Sequence, residues 1–238
     1  MTRLRCLRQL RGGRLQIAAL IVGTALLLAS STVGGQAATG RLTGTVKLTL
    51  ANSTPSAATA YERRSVSPRP KAMPELRSVV IFFTDVAATK SAAMSGSIAQ
   101  KDEQFVPHLV AVTAGSAVAF PNQDPFFHNV FSLSRGASFN LGRYPSGASR
   151  SRVVTRPGVI KVFCEIHSHM SAVIRVFDHP WFTVPSDAGT FTIDNVPVGD
   201  HVVAAWHERI GERRDKVTIR AGAATQVNFT LPVLEPAP

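Results

Sequence analysis

The sequence predicts an all-β protein, and three observations make that prediction. Short runs of alternating or β-branched residues recur beyond the first forty positions. Pro-Gly, Ala-Gly, Pro-Asn and Val-Gly pairs punctuate those runs. After the N-terminal stretch, no segment sustains a helical apolar period. Many short strands at this spacing belong to sandwiches or barrels.

The strands read in order as follows. The first is 41–50 (RLTGTVKLTL), and 77–84 (RSVVIFFT) is an apolar run bounded by polar residues. Then come 108–112, 117–120, 159–164 and 172–177, each four to six residues with Val, Ile or Phe prominent. The last four are 191–193, 201–206, 216–219 and 225–231. Two stretches lack strand signals. Residues 51–74 are rich in Ala, Ser, Thr and Pro and read as a long loop, and 87–104 read similarly.

The N-terminal stretch has a different character. Residues 1–14 hold Arg3, Arg5, Arg8, Arg11 and Arg14 and no acid, and 15–29 are nearly all apolar. Gly35-Gln36-Ala37 approximates the small-residue cleavage site of a secretory signal peptide. The apolar run is shorter than the ~20 residues of a spanning helix. We expect residues 1–37 to be a signal cleaved near Ala37 and the protein to be periplasmic. Membrane attachment enters only if the segment is retained.

Cleavage changes the arithmetic. The whole chain has 238 residues, 26 Lys and Arg, 15 Asp and Glu, and a net charge of +11. Five of those basic residues and none of the acids lie in 1–37, so the exported chain carries +6. Cys6 leaves too, and Cys164 becomes the one thiol. In an oxidising compartment a lone thiol needs burial, a metal or an intermolecular partner.

The sharpest chemistry is FCEIHSHM at 163–170. A strand delivers Cys164, His167 follows at C-x2-H, and Met170 follows at H-x2-M. Upstream, FFHNVF places His128 just after the turn at 121–125. Taken singly, such residues are ordinary: a lone Cys is most often a small buried hydrophobe. Together, one thiolate, two imidazoles and a thioether make the donor set of a blue-copper site, which suits both Cu(I) and Cu(II). His169 lies inside the loop as a competing ligand. Asn129 is placed to pin the two ligand segments together. His108 and the Trp206-His207-Glu208 run read as packing or surface residues.

Residues 105–177, with GSAVAFPNQDPFFHNVFSLS and PGVIKVFCEIHSHMSAVIRV, resemble the cupredoxin superfamily. Within it they are similar to plastocyanin-like methylamine utilisation proteins. The resemblance implies a Greek-key β-sandwich, one type-1 copper ion held by His128, Cys164, His167 and Met170, and electron transfer. Plastocyanins space the last two ligands as H-x4-M; the H-x2-M here resembles amicyanins.

A second resemblance lies further on. SDAGTFTIDNVPVGDHVVAAWHE, from Ser186, is similar to the carboxypeptidase regulatory-like, transthyretin-like β-sandwich, and Gly44-Thr45-Val46 with 79–83 fits its opening strands. We expect 38–86 and 181–234 to form that sandwich, split by a copper domain at 105–178. The alternative is one cupredoxin with N- and C-terminal strand extensions.

Function classes narrow accordingly. The leading expectation is an exported type-1 copper electron carrier that is not an enzyme. The alternative is a periplasmic copper-binding and delivery protein. His167-Ser168-His169 is the one His-x-His pair in the chain, too few for a multicopper oxidase. Between Asp124 and Glu165 lie Arg135, Arg143, Arg150, Arg152, Arg156 and Lys161 with no acid, which suits an acidic redox protein partner. Nucleic acid is not expected, because no basic-aromatic binding motif is present.

Overall fold

Five consecutive side chains at 79–83 (VVIFF) are all buried. An extended strand points them alternately to two faces, so both faces must be covered. The computed structural model describes residues 38–50 and 75–233, and the layers within it supply that cover. The expected signal peptide at 1–37 and long loop at 51–74 lie outside the described residues.

Among the described residues there are seventeen strands, one 3-10 turn at Glu75–Ser78, and no α-helix. The strands are β1 (Thr39–Leu50), β2 (Val79–Phe83), β3 (Ser95–Ser97), β4 (Ala99–Lys101), β5 (Gln104–Val106) and β6 (Leu109–Thr113). Next come β7 (Ser116–Pro121), β8 (His128–Ser132), β9 (Phe139–Tyr144), β10 (Ser149–Val154), β11 (Gly158–Phe163) and β12 (Ser171–Phe177). The last are β13 (Phe182–Thr183), β14 (Thr190–Pro197), β15 (Gly199–His207), β16 (Gly211–Ile219) and β17 (Ala224–Val233).

They form two stacked sandwiches. One pairs sheet β14-β1-β17 with sheet β13-β2-β15-β16. Its core takes Leu42 and Val46 from β1, Ile81 and Phe83 from β2, Phe191 from β14 and Phe229 from β17. The other pairs sheet β10-β7-β3 with sheet β6-β12-β11-β8-β9. Its core includes Val118, Phe120, Val162, Ile174, Cys164 and Met170. A third apolar layer joins the two sandwiches through Val80, Phe82, Ala204, Leu109, Val173 and Phe177. The described residues are therefore stacked four sheets deep, and β2 and β12 are each buried on both faces.

Arg175 on β12 turns its guanidinium into this third layer. It sits 5.0–5.3 Å from the ring centres of Phe82, Phe177 and Trp206. Burial pushes its pKa down from the usual arginine value, with Glu212 partly opposing. The three rings supply the negative faces that such a cation favours.

Two pairings show the topology. β1 runs antiparallel to β14 and parallel to β17, in register from Arg41 opposite Ala224 to Leu50 opposite Val233. Gly44 permits the close approach: a Cβ there would meet the Val227 carbonyl oxygen at 1.7 Å. β2 pairs with β13 and β15.

The 87–104 stretch departs from the loop expected. It holds β3 and β4, and β5 begins at its end. β3 reads Ser-Gly-Ser, which carries no apolar alternation, yet it pairs in parallel with β7. β4 and β5 form a hairpin across Asp102 and Glu103, both at positive φ, as a type I′ turn requires. β9 and β10 were also not legible, because β10 (SRSRVV) exposes all but its last residue.

Candidate metal centre

The site lies at one end of the β10-β7-β3 and β6-β12-β11-β8-β9 sandwich. β8 starts at His128, and the β11–β12 connection carries Cys164, His167 and Met170. β8 and β11 are neighbours in the sheet, with Phe163 opposite Phe131, so both segments reach the same end.

The structure brings His128, Cys164 and His167 together, with one donor atom from each inside a 4.8 Å span. His128 Nδ1 lies 3.1 Å from His167 Nδ1 and 3.8 Å from Cys164 Sγ. Donors that share one ion at metal–ligand distances of roughly 2.0–2.3 Å are separated by about these amounts. His128 is 0% exposed and Cys164 3%, whereas His167 is part-exposed. Two imidazoles and a thiol in this arrangement fit copper or zinc by donor chemistry. Among the described residues no other such group of His, Cys, Asp and Glu occurs.

Met170 is buried, in the same apolar cluster as Cys164. Its N–H donates to the His167 carbonyl at 3.0 Å, and its own carbonyl accepts from Cys164 N–H at 3.4 Å. The loop is thus closed on itself before any ion is considered. His169 points elsewhere: its Nε2 lies 3.1 Å from the Glu103 carbonyl oxygen and 3.6 Å from Glu103 Oε2.

Asn129 joins the two ligand segments, as its position suggested. Its Oδ1 accepts from Glu165 N–H at 3.3 Å, and its Nδ2 donates to Asn140 Oδ1 at 2.8 Å. Tyr144 stands opposite His128 in the β8–β9 register. Its hydroxyl donates to the Phe120 carbonyl at 2.9 Å, and burial pushes the phenol up to about 12. His108 has no part in the site: its ring nitrogens lie 3.0 Å from the Ser171 carbonyl oxygen and 3.0 Å from Glu208 Oε2.

Sequence reasoning passed over Asp124. Its Oδ2 lies 2.7 Å from His128 Nε2, and the residue is 4% exposed. Burial raises its pKa, but the His128 hydrogen bond and the N–H groups of Glu103 and Asp102 outweigh that and hold it below the usual carboxylate value. The available signal was an Asp four residues before the His, inside the Asn122–Asp124 turn, where Asn122 Oδ1 accepts from Asp124 N–H at 3.0 Å.

The outer face is apolar. Phe126, Phe127 and Ile166 are 38%, 55% and 40% exposed. The Phe126 ring centre lies 5.4 Å from that of His167 and 5.2 Å from that of His128. On the flank, Arg143 donates to Glu165 Oε1 at 2.8 Å. Arg150 lies over the Tyr144 ring at 5.2 Å, and Arg152 over Phe139 at 5.6 Å.

No family model matches the chain, and no curated protein does. Solved structures with partial likeness include a copper-containing nitrite reductase from Thermus scotoductus SA-01, at 22% identity and a TM-score of 0.34, over 41% of this chain and 25% of that one. A purple cupredoxin from Nitrosopumilus maritimus matches at 21% identity and a TM-score of 0.32, over 34% of this chain and 99% of that one. A reduced amicyanin variant matches at 19% identity and a TM-score of 0.34, over 38% of this chain and 90% of that one. The chain thus spans about a quarter of the nitrite reductase, and each likeness takes in less than half of this chain.

Proposed function

We propose that this chain is an exported type-1 copper protein that carries single electrons between redox partners. The observation that carries the reading is the convergence of His128 Nδ1, His167 Nδ1 and Cys164 Sγ at the end of a β-sandwich. The resemblance of 105–177 to cupredoxins supports it. Bound copper would supply a one-electron couple that a thiolate and two imidazoles accommodate in both oxidation states.

The chain's own residues supply the rest. Cys164 and His128 bring thiolate and imidazole donors into a buried, packed pocket. Met170, buried under the loop, is the fourth ligand in this reading. His167 is part-exposed and reaches toward the surface among Phe126, Phe127 and Ile166. That apolar end excludes water from a docked partner. The arginines of β9 and β10 beside it favour a partner with an acidic face, chiefly by speeding encounter. Residues 1–37 would direct the protein to the periplasm before removal.

The test is spectroscopic. Purified protein given Cu(II) is expected to show an intense visible thiolate-to-copper charge-transfer band. Cys164→Ala should abolish the band while the far-ultraviolet β spectrum persists. A colourless protein that retains only Cu(I) would overturn electron transfer in favour of delivery, and a protein that binds no copper would overturn both.

A further inference from the structure

Asp124 has no place in the donor set, yet it is the most elaborately held carboxylate at the site. Its Oδ1 accepts from Asp102 N–H at 2.6 Å, and its Oδ2 from Glu103 N–H at 3.0 Å. Those two residues form the β4–β5 turn, and the backbone N–H of Asp124 is itself tied to Asn122 Oδ1. The carboxylate is therefore fixed by main-chain donors that no imidazole controls. Both carboxylate oxygens already accept main-chain N–H bonds, which favours the ionised, acceptor-only form and makes His128 Nε2, at 2.7 Å, the donor.

We propose that Asp124 is the positioning residue of the metal centre: it locks His128 in the Nε2–H tautomer and so aims the Nδ1 lone pair at Cys164 and His167. This rests on the copper reading for its purpose but not for its geometry. A neutral imidazole carries one proton, and placing it on Nε2 leaves Nδ1 a donor to the ion. The hydrogen bond to a buried anion also makes the imidazole a stronger electron donor. Such a ligand stabilises the more highly charged Cu(II) and lowers the reduction potential. The same carboxylate links the metal-binding strand β8 to the β4–β5 turn, whose Glu103 carbonyl holds His169. One side chain thus orients His128 and supports the turn that draws His169 away from the donor set.

The tautomer is measurable without any metal. Nitrogen-resolved NMR of the metal-free protein, labelled at histidine, should show His128 protonated at Nε2 and bare at Nδ1. A proton on Nδ1 would overturn the proposal. Asp124→Ala should release that preference and weaken Cu(II) binding by roughly 10- to 100-fold. Asp124→Asn keeps an acceptor oxygen but removes the charge. It should retain the Nε2–H tautomer, bind Cu(II) with intermediate affinity, and raise the reduction potential above that of the unaltered protein. Unchanged potential and affinity in both variants would leave Asp124 a structural residue only and would overturn the proposal. Failure of the unaltered protein to take up copper would instead overturn the functional reading, and the tautomer measurement would still judge Asp124.

Discussion

The amide of Asn129 makes one hydrogen bond to each of two separate segments, and the site depends on both. Oδ1 holds Glu165 N–H next to Cys164, and Nδ2 holds Asn140 on β9. Truncation would remove two part-buried hydrogen bonds, each worth about 0.5–1.5 kcal/mol. Asn129→Ala is therefore expected to lower the denaturant midpoint of the metal-free protein and to shift the copper charge-transfer band, because Cys164 loses its fixed approach. Equal midpoints and an unmoved band would show that the loop is held without it. At this scale the sequence was informative where residue type alone defines chemistry. Cys164, His167 and His128 stood out because thiol and imidazole in that order are rare together. Asp124 did not, since an Asp in a turn near Pro looks the same whether it faces water or a buried ring. Only the fold places the β4–β5 turn above it.

The strands show the same division. β2, β11 and β12 were legible because buried faces select Val, Ile and Phe: β2, covered on both sides, reads as an unbroken apolar run, and β11 and β12 as apolar runs interrupted once, by Lys161 and Arg175. β3, β9 and β10 were not legible, because edges and short Ser-Gly strands are stabilised by main-chain pairing rather than by a patterned face. β10 uses that freedom: as an edge strand it places Arg150 over Tyr144, opposite His128, and Arg152 over Phe139, opposite Ser132 further along β8, and charge at an edge also discourages strand addition. Their field should act on approach. In Arg150→Glu with Arg152→Glu, oxidation of the reduced copper protein by hexacyanoferrate(III), an anion, should slow several-fold at about 10 mM ionic strength. The difference should vanish at about 0.5 M, where charges are screened beyond a few ångströms. Identical rates at low salt would leave β10 a solvated edge and nothing more.

The two sandwiches are held together across the third apolar layer, with an ionic cluster at that layer's side. Glu208, at the β15–β16 turn, accepts from Lys161 Nζ at 3.1 Å on β11 and faces His108 Nε2 at 3.0 Å ahead of β6. The His108 hydrogen bond, offset by burial and helped by Lys161, lowers its pKa from 4.5 to about 2. The folded state thus binds fewer protons than the unfolded one between those values. The contribution is whole above about pH 4.5 and is lost as pH falls through about 2. After allowance for a side chain 23% exposed, it amounts to about 1 kcal/mol. Urea midpoints of Glu208→Gln and the unaltered protein should differ at pH 6 and converge toward pH 2. A constant gap over that range would rule this linkage out. The pairing of β1 with β17 has a consequence in time rather than in energy. Thr45 lies opposite Asn228, 183 positions later, so the sheet centred on β1 has no second edge until β17 has left the ribosome or crossed a membrane pore. The strands that frame the candidate metal centre, 95 to 177, are complete well before that. A chain emerging N-terminus first would therefore complete the strands around the candidate site while β1 still waits for both of its neighbours, β14 and β17.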